Sequence, residues 1–139
     1  MAVDGPALAL QVALVAALKS SDAVFEMVGT RVYDEPPQNV TFPYVRIGAM
    51  EVQPVRMSGC AAHWNIMVSV QGHSQPVAGR VEATQIAEAI IAALDEQETS
   101  ISVAGYGLDW MLLQTQTVGV DKDGRSYTAV VVFEAALSV

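Results

Sequence analysis

The chain has 139 residues, of which 52% are hydrophobic and only 16% charged, and its formal net charge is −8. Ordinary soluble domains carry about 25% charged residues, so this composition excludes a disordered chain and leaves surplus apolar surface to bury, for which a subunit interface is one candidate. The seven basic residues stand apart from one another. No Lys/Arg cluster offers a grip for a nucleic-acid backbone, and an acidic surface repels one.

The length fits a single domain, residues 1–139, able to bury roughly two-thirds of its unfolded surface. Cys60 is the one cysteine, so no intrachain disulfide can form. Residues 7–18 are apolar apart from Gln11. That run is shorter than the about 20 residues a bilayer span needs, and acidic Asp4 precedes it where a signal peptide carries bases. No membrane partner and no targeting segment are expected.

In chain order, Asp4-Gly5-Pro6 predicts a helix start, with Asp4 capping free amides and Pro6 in the first turn. The helix should run to about residue 18 or 19 and is apolar on nearly every side, which predicts burial on more than one face. A short second helix is predicted over residues 23–28, closed by Gly29. Arg31-Val32-Tyr33 reads as a short strand, and residues 34–39, with Pro36 and Pro37, as a stiff loop. A strand over 43–53 places Val45, Ile47 and Ala49 on one face. A cleaner alternation over 63–71 sets Trp64, Ile66, Val68 and Val70 against Asn65, Met67, Ser69 and Gln71. Residues 54–62, with Ser58-Gly59, predict a flexible hairpin loop.

A long helix over 76–96 carries Ala83, Ile86, Ala87, Ile90 and Leu94 at helical spacing, with Ile91 off that stripe and free to touch something else. Strands over 108–120 and 127–137 flank Asp123-Gly124, a hairpin signal. The second is apolar on both faces and belongs inside the sheet. The fold class is therefore α+β: an antiparallel or mixed sheet of about four to five strands, with the N-terminal helix and the long helix packed on one face.

The search for chemistry returns little. The two histidines are His63 and His73, and no Gly-x-Ser-x-Gly elbow occurs. Cys60 and His63 lie in or beside a loop without an orienting acid. Cys60-x-x-His63 is half of a zinc pair that has no second half. Asp121-Lys122-Asp123-Gly124 begins like a calcium loop, but its twelfth position is Val132 instead of Glu, and a hairpin turn explains these residues. Gly105-Tyr106-Gly107 precedes a strand, not a phosphate-binding helix. Asn39-Val40-Thr41 matches a glycosylation sequon, but nothing suggests secretion. Asp34-Glu35 and Asp95-Glu96 read as solvated element ends. Catalytic residues, cofactor and metal are each expected to be none. A small enzyme or ligand-binding domain using Cys60, His63 or His73 is the outlying alternative.

The ordered series of segments resembles a known family. It comprises Leu8-Ala9-Leu10-Gln11-Val12-Ala13-Leu14; Gly29-Thr30-Arg31-Val32-Tyr33; Pro36-Pro37; Phe42-Pro43-Tyr44-Val45-Arg46-Ile47-Gly48; Val70-Gln71-Gly72-His73-Ser74; Gly79-Arg80-Val81-Glu82-Ala83; the helix from Ile86 to Leu94; and Val130-Val131-Val132-Phe133-Glu134-Ala135. Together they are similar to the tail-completion or tail-terminator proteins of long-tailed bacteriophages and gene transfer agents. Gln71-Gly72-His73 stands where that pattern carries a tryptophan.

The resemblance implies a structural virion protein and not an enzyme. It implies a homo-oligomeric ring, commonly a hexamer, that caps the tail tube, stops its polymerisation and meets the head-side connector or stopper. It places the protein at the head-proximal end of a tail assembled in the bacterial cytoplasm, with DNA passing through the ring unbound. The other assembly readings are a neck component or a tube subunit. Loops on a rigid scaffold usually carry recognition, so the expected protein-interface residues are Pro36, Pro37 and Phe42 in one loop, Arg56 and Met57 in the other, and Ile91 on the helix.

Overall fold

The computed structural model describes residues 4–56 and 62–139. Three helices and five strands follow in the order α1 (Pro6–Ser20), α2 (Asp22–Val28), β1 (Val32–Tyr33), β2 (Tyr44–Val55), β3 (His63–His73), α3 (Gly79–Leu94), β4 (Gly107–Val120) and β5 (Tyr127–Ser138). The strands form one mixed sheet in the order β1-β2-β3-β5-β4. β1 runs parallel to β2, and every other pair is antiparallel. The α+β class and the interior position of β5 match the sequence reading.

Local chemistry explains most boundaries. Pro6 sits in the first turn of α1, but Gly5 is the N-cap and makes no side-chain cap bond. Asp4 instead offers its backbone carbonyl to the Tyr106 hydroxyl at 2.9 Å. Ser21 ends α1 and caps α2, its hydroxyl accepting from the Val24 amide at 3.3 Å. Gly29, at φ 62°, closes α2 in a backbone region that suits glycine. The long helix is shorter than expected, because Pro76, Val77 and Ala78 form a turn before it.

α3 packs on β3, β4 and β5, α1 packs against α3, β1 and β2, and α2 packs on the other two helices. The core under them joins Leu10, Leu14 and Leu18 to Ile86, Ile90 and Leu94 and to Ile66, Val68, Val70, Val131 and Phe133, all fully buried. The expected alternation of β3 and the expected stripe of α3 are both realised. The expectation for α1 is not: Leu8 and Val12 remain 47% and 58% exposed. One face of α1 meets the core, and the opposite face is left open.

β2 departs from strict alternation. Its register to β3 passes from Ile47↔Val70 to Met50↔Val68, so one extra residue is accommodated. Val45 and Ile47 point to the helices as expected, but Ala49 is turned out, and Met50 and Val52 pack inward. Gly48 makes this possible, since a Cβ there would collide with the Ser69 hydroxyl. Pro54 and Val55, expected in a loop, are the last residues of β2, level with Trp64 and His63. Gly72 has a packing role as well: a Cβ on it would run into the Cγ2 methyl of Ile86, so the bare backbone lets α3 settle onto β3.

Among the described residues no single helix is long and apolar enough to cross a bilayer. α1 and α2 together reach that length only across a bend of 79°.

Candidate assembly surfaces

The interface residues expected from sequence fall in three places. Pro36, Pro37 and Phe42 lie in the loop that enters β2; Pro37 is exposed, and Pro36 and Phe42 are half-buried. Arg56 is exposed just beyond the opposite end of β2, while Met57 and Cys60 fall outside the described residues. Ile91 is half-buried on α3 and packs against the protein's own core, so it sits at a rim instead of on an open surface.

The proline loop is held by polar and aromatic contacts. The peptide between Phe42 and Pro43 is cis, and the Arg31 guanidinium donates through Nε to the Pro43 carbonyl at 2.7 Å. Gln11 donates to the Asp34 carboxylate at 3.3 Å and so ties the loop to α1. Phe42 stands edge-on to Tyr44 with ring centroids 5.0 Å apart, and Tyr33 lies 6.2 Å from the same ring.

Tyr44 also stacks on His73 at 4.6 Å, with the rings 13° from coplanar. His73 Nδ1 meets the Thr128 hydroxyl at 3.2 Å and faces an Asp121 carboxylate oxygen at 3.7 Å; Nε2 meets Gln71 Oε1 at 3.2 Å. Burial holds the His73 pKa below its ordinary value; Asp121 works against that shift and Arg46 with it. Burial likewise raises the Tyr44 phenol. Residues distant in sequence thus build one stacked corner at the Tyr44 end of the sheet. It reads as a scaffold that fixes the proline loop.

The calcium-like turn is likewise self-contained. Asp123 accepts from the amides of Arg125 and Ser126 and from the buried Ser126 hydroxyl, which lowers its pKa. Among the described residues no group of three or more His, Cys, Asp or Glu converges as metal ligands.

The sheet face away from the helices is uncovered by any described element. Its few charges include Arg46 on β2, Glu51 on β2 and Glu134 on β5, set among polar Gln53, Asn65, Ser69, Thr115, Thr117 and Thr128 and apolar Met67, Trp110, Leu112, Val130 and Val132. Sequence reasoning missed two other open surfaces, the Leu8 and Val12 face of α1 and Phe25 on α2 at 56% exposed; the outer edge of β4 is closed in its middle, where Glu98 and Asp95 accept from the Met111 and Leu113 amides and the Glu96 amide donates to the Met111 carbonyl. Leu8 and Val12 are one helical turn apart, but nothing in a sequence says which side of an all-apolar helix meets the core.

The subunit is a small α+β unit with an uncovered sheet face and exposed apolar side chains at Leu8, Val12 and Phe25. Its fold is that of a chain in a structure described as "Virion of native gene transfer agent (GTA) particle", with a TM-score of 0.87 and 22% sequence identity over 99% of this chain and 100% of that one. No curated protein matches it. Residues 12–138 match the family model described as "Tail completion protein gp17", and the chain belongs to that family. It is a structural component of a phage-type tail.

Proposed function

We propose that this chain is one domain whose copies close into a ring, a hexamer, at the head-proximal end of a tail. The ring caps the tail tube, stops its polymerisation and joins it to the head-side connector or stopper. The subunit assembles in the bacterial cytoplasm and works through surfaces, without catalysis, cofactor or membrane. The observation that carries this reading is the family match across residues 12–138. Pro36, Pro37 and Phe42 at one end of the sheet and Arg56 at the other are the proposed contacts to the neighbouring rings, together with Met57, which lies outside the described residues, and with Ile91 at a lateral rim.

The uncovered sheet face is the proposed bore. It sets Glu51 and Glu134 against Arg46 among a mixture of polar and apolar side chains, with no cluster of bases. Such a wall offers a phosphate backbone little to hold, so DNA can pass without specific binding.

The test is a native mass of the purified protein followed by electron microscopy. Closed rings of one size, and tubes of normal length only when the protein is present during assembly, are the expected results. Open filaments would make it a tube subunit. A monomer with a ligand pocket at His63 would overturn the assembly reading altogether.

A further inference from the structure

We infer that residues 95–98 are an edge lock: they close the outer side of β4 from within the chain, so that copies assemble through side-chain surfaces and not by adding strand to strand.

β4 has 14 residues and, among the described residues, a strand neighbour on one side only, β5. Between Gly107 and Val120 it contains no Lys, Arg or Pro, and its single charge is Asp109. An outer strand of that length and composition is a template for another chain, because its outward amides and carbonyls need partners. Here the segment that follows α3 supplies them. The Asp95 carboxylate accepts from the Leu113 amide at 2.9 Å, and the Glu98 carboxylate accepts from the Met111 amide at 3.3 Å. The Glu96 amide donates to the Met111 carbonyl at 2.9 Å. Met111 thus has both bonds that a further strand would give it, and Leu113 has one.

The chemistry of the segment suits a stop. A carboxylate accepts hydrogen bonds and has no N–H to offer, so it satisfies an edge amide without presenting a new ladder behind it. Glu96 stands at φ 55°, a backbone region that residues with side chains rarely adopt. That turn follows the C-cap of α3 at Asp95 and aims the Glu96 amide at β4. Leu94 before the segment and Ile101 and Val103 after it are buried, which anchors it on both sides. The start of the same helix adds a second hold, since Arg80 donates to the Val118 carbonyl at 3.1 Å. α3 therefore fastens β4 from both of its ends.

The opposite flank is guarded by other means. The two-residue β1 pairs with Val45 and Arg46 of β2. Beyond it β2 carries the register shift between Ile47 and Met50, the charge of Glu51, and Pro54. Short outer strands, bulges, charges and prolines are the usual obstacles to strand addition.

The test compares three forms of the full chain: wild type, Asp95→Ala/Glu98→Ala, and Asp95→Asn/Glu98→Gln. The alanine pair frees both β4 amides, whereas the Asn/Gln pair keeps an acceptor oxygen at each place. Residue-resolved hydrogen exchange should find the Met111 and Leu113 amides protected in wild type and in the Asn/Gln pair. Both should exchange at least about tenfold faster in the alanine pair. That pair should also form thioflavin-positive filaments at about tenfold lower concentration than wild type. Adding Thr115→Lys should suppress them by placing a charge on the opened edge. Ser74→Ala weakens the fold between β3 and β5 instead, and should form no filaments. Rapid exchange of both amides in wild type would overturn the lock, as would an alanine pair that assembles no differently from wild type. Equal filaments from Ser74→Ala would trace them to lost stability and overturn it too. Filaments from the Asn/Gln pair would show that the acceptor oxygens are not what closes the edge.

Discussion

Gly72 offers the sharpest check on the packing of α3. It lies inside β3, and no positive φ protects it, so alanine is conformationally admissible. On backbone entropy alone, Gly72→Ala should stabilise the strand by about 0.5–1 kcal/mol. The structure predicts the opposite sign. An added Cβ would overlap Ile86 Cγ2, lie 3.2 Å from Ile86 Cβ and 3.7 Å from Ile90 Cδ1. The obstructing methyl belongs to a β-branched, fully buried residue on a helix, which has almost one rotamer available. It cannot swing aside, and α3 must lift. Overpacking of this kind costs about 1–3 kcal/mol. For a domain of this length each kcal/mol lowers Tm by about 3–5 °C, so a fall of about 3–15 °C is expected.

A denaturant-unfolding cycle with Ile86→Ala isolates the contact. That substitution alone should cost about 2–5 kcal/mol for the lost methyls and the cavity, yet it removes the obstruction. The double variant should therefore be more stable than the sum of the single effects by at least about 1 kcal/mol. Additivity within about 0.5 kcal/mol, or a stabilised Gly72→Ala, would refute the reasoning.

Two further predictions concern the corner at the same end of the sheet. Ser74 is buried and bridges to Tyr127, its hydroxyl donating to the carbonyl at 3.1 Å and accepting from the amide at 2.9 Å. Ser74→Ala orphans that amide and should cost about 1–3 kcal/mol in denaturant unfolding, with the strands otherwise retained by circular dichroism. His73 is held neutral by burial, so its folded pKa lies below the unfolded value of 6.5. Its contribution is present above that value and is lost as pH falls through the folded pKa. Tm should decline as pH falls below the unfolded value of 6.5, and His73→Gln should flatten that decline. An unchanged slope in the variant would exclude His73 as the cause.

Much of the fold was legible because its signals are local. Ser21 and Gly29 mark helix ends, Asp123-Gly124 marks a turn, and the alternation through Trp64, Ile66, Val68 and Val70 marks a half-buried strand. The β2 bulge was not legible. Alternation extrapolated from Val45 and Ile47 chose Ala49, and only the pairing to Ser69 and Val68 shows that Met50 takes the inward place. Loop composition picked out Pro36, Pro37, Phe42 and Arg56 as expected contacts, and the structure places them at the two ends of β2. The edges themselves were hidden, because a strand becomes an edge only through the order in which distant segments pair.

The sheet is made of two hairpins, β2–β3 and β4–β5, each closed within its own stretch of chain. A single seam, β3 against β5, joins them across the α3 connection. Forming either hairpin closes a short loop, whereas forming the seam closes a long one and draws α3 onto both halves at once. Loop-closure entropy therefore predicts that the seam forms after the two hairpins. Until it forms, β5 would present a largely apolar edge, the kind of surface through which incompletely folded chains associate.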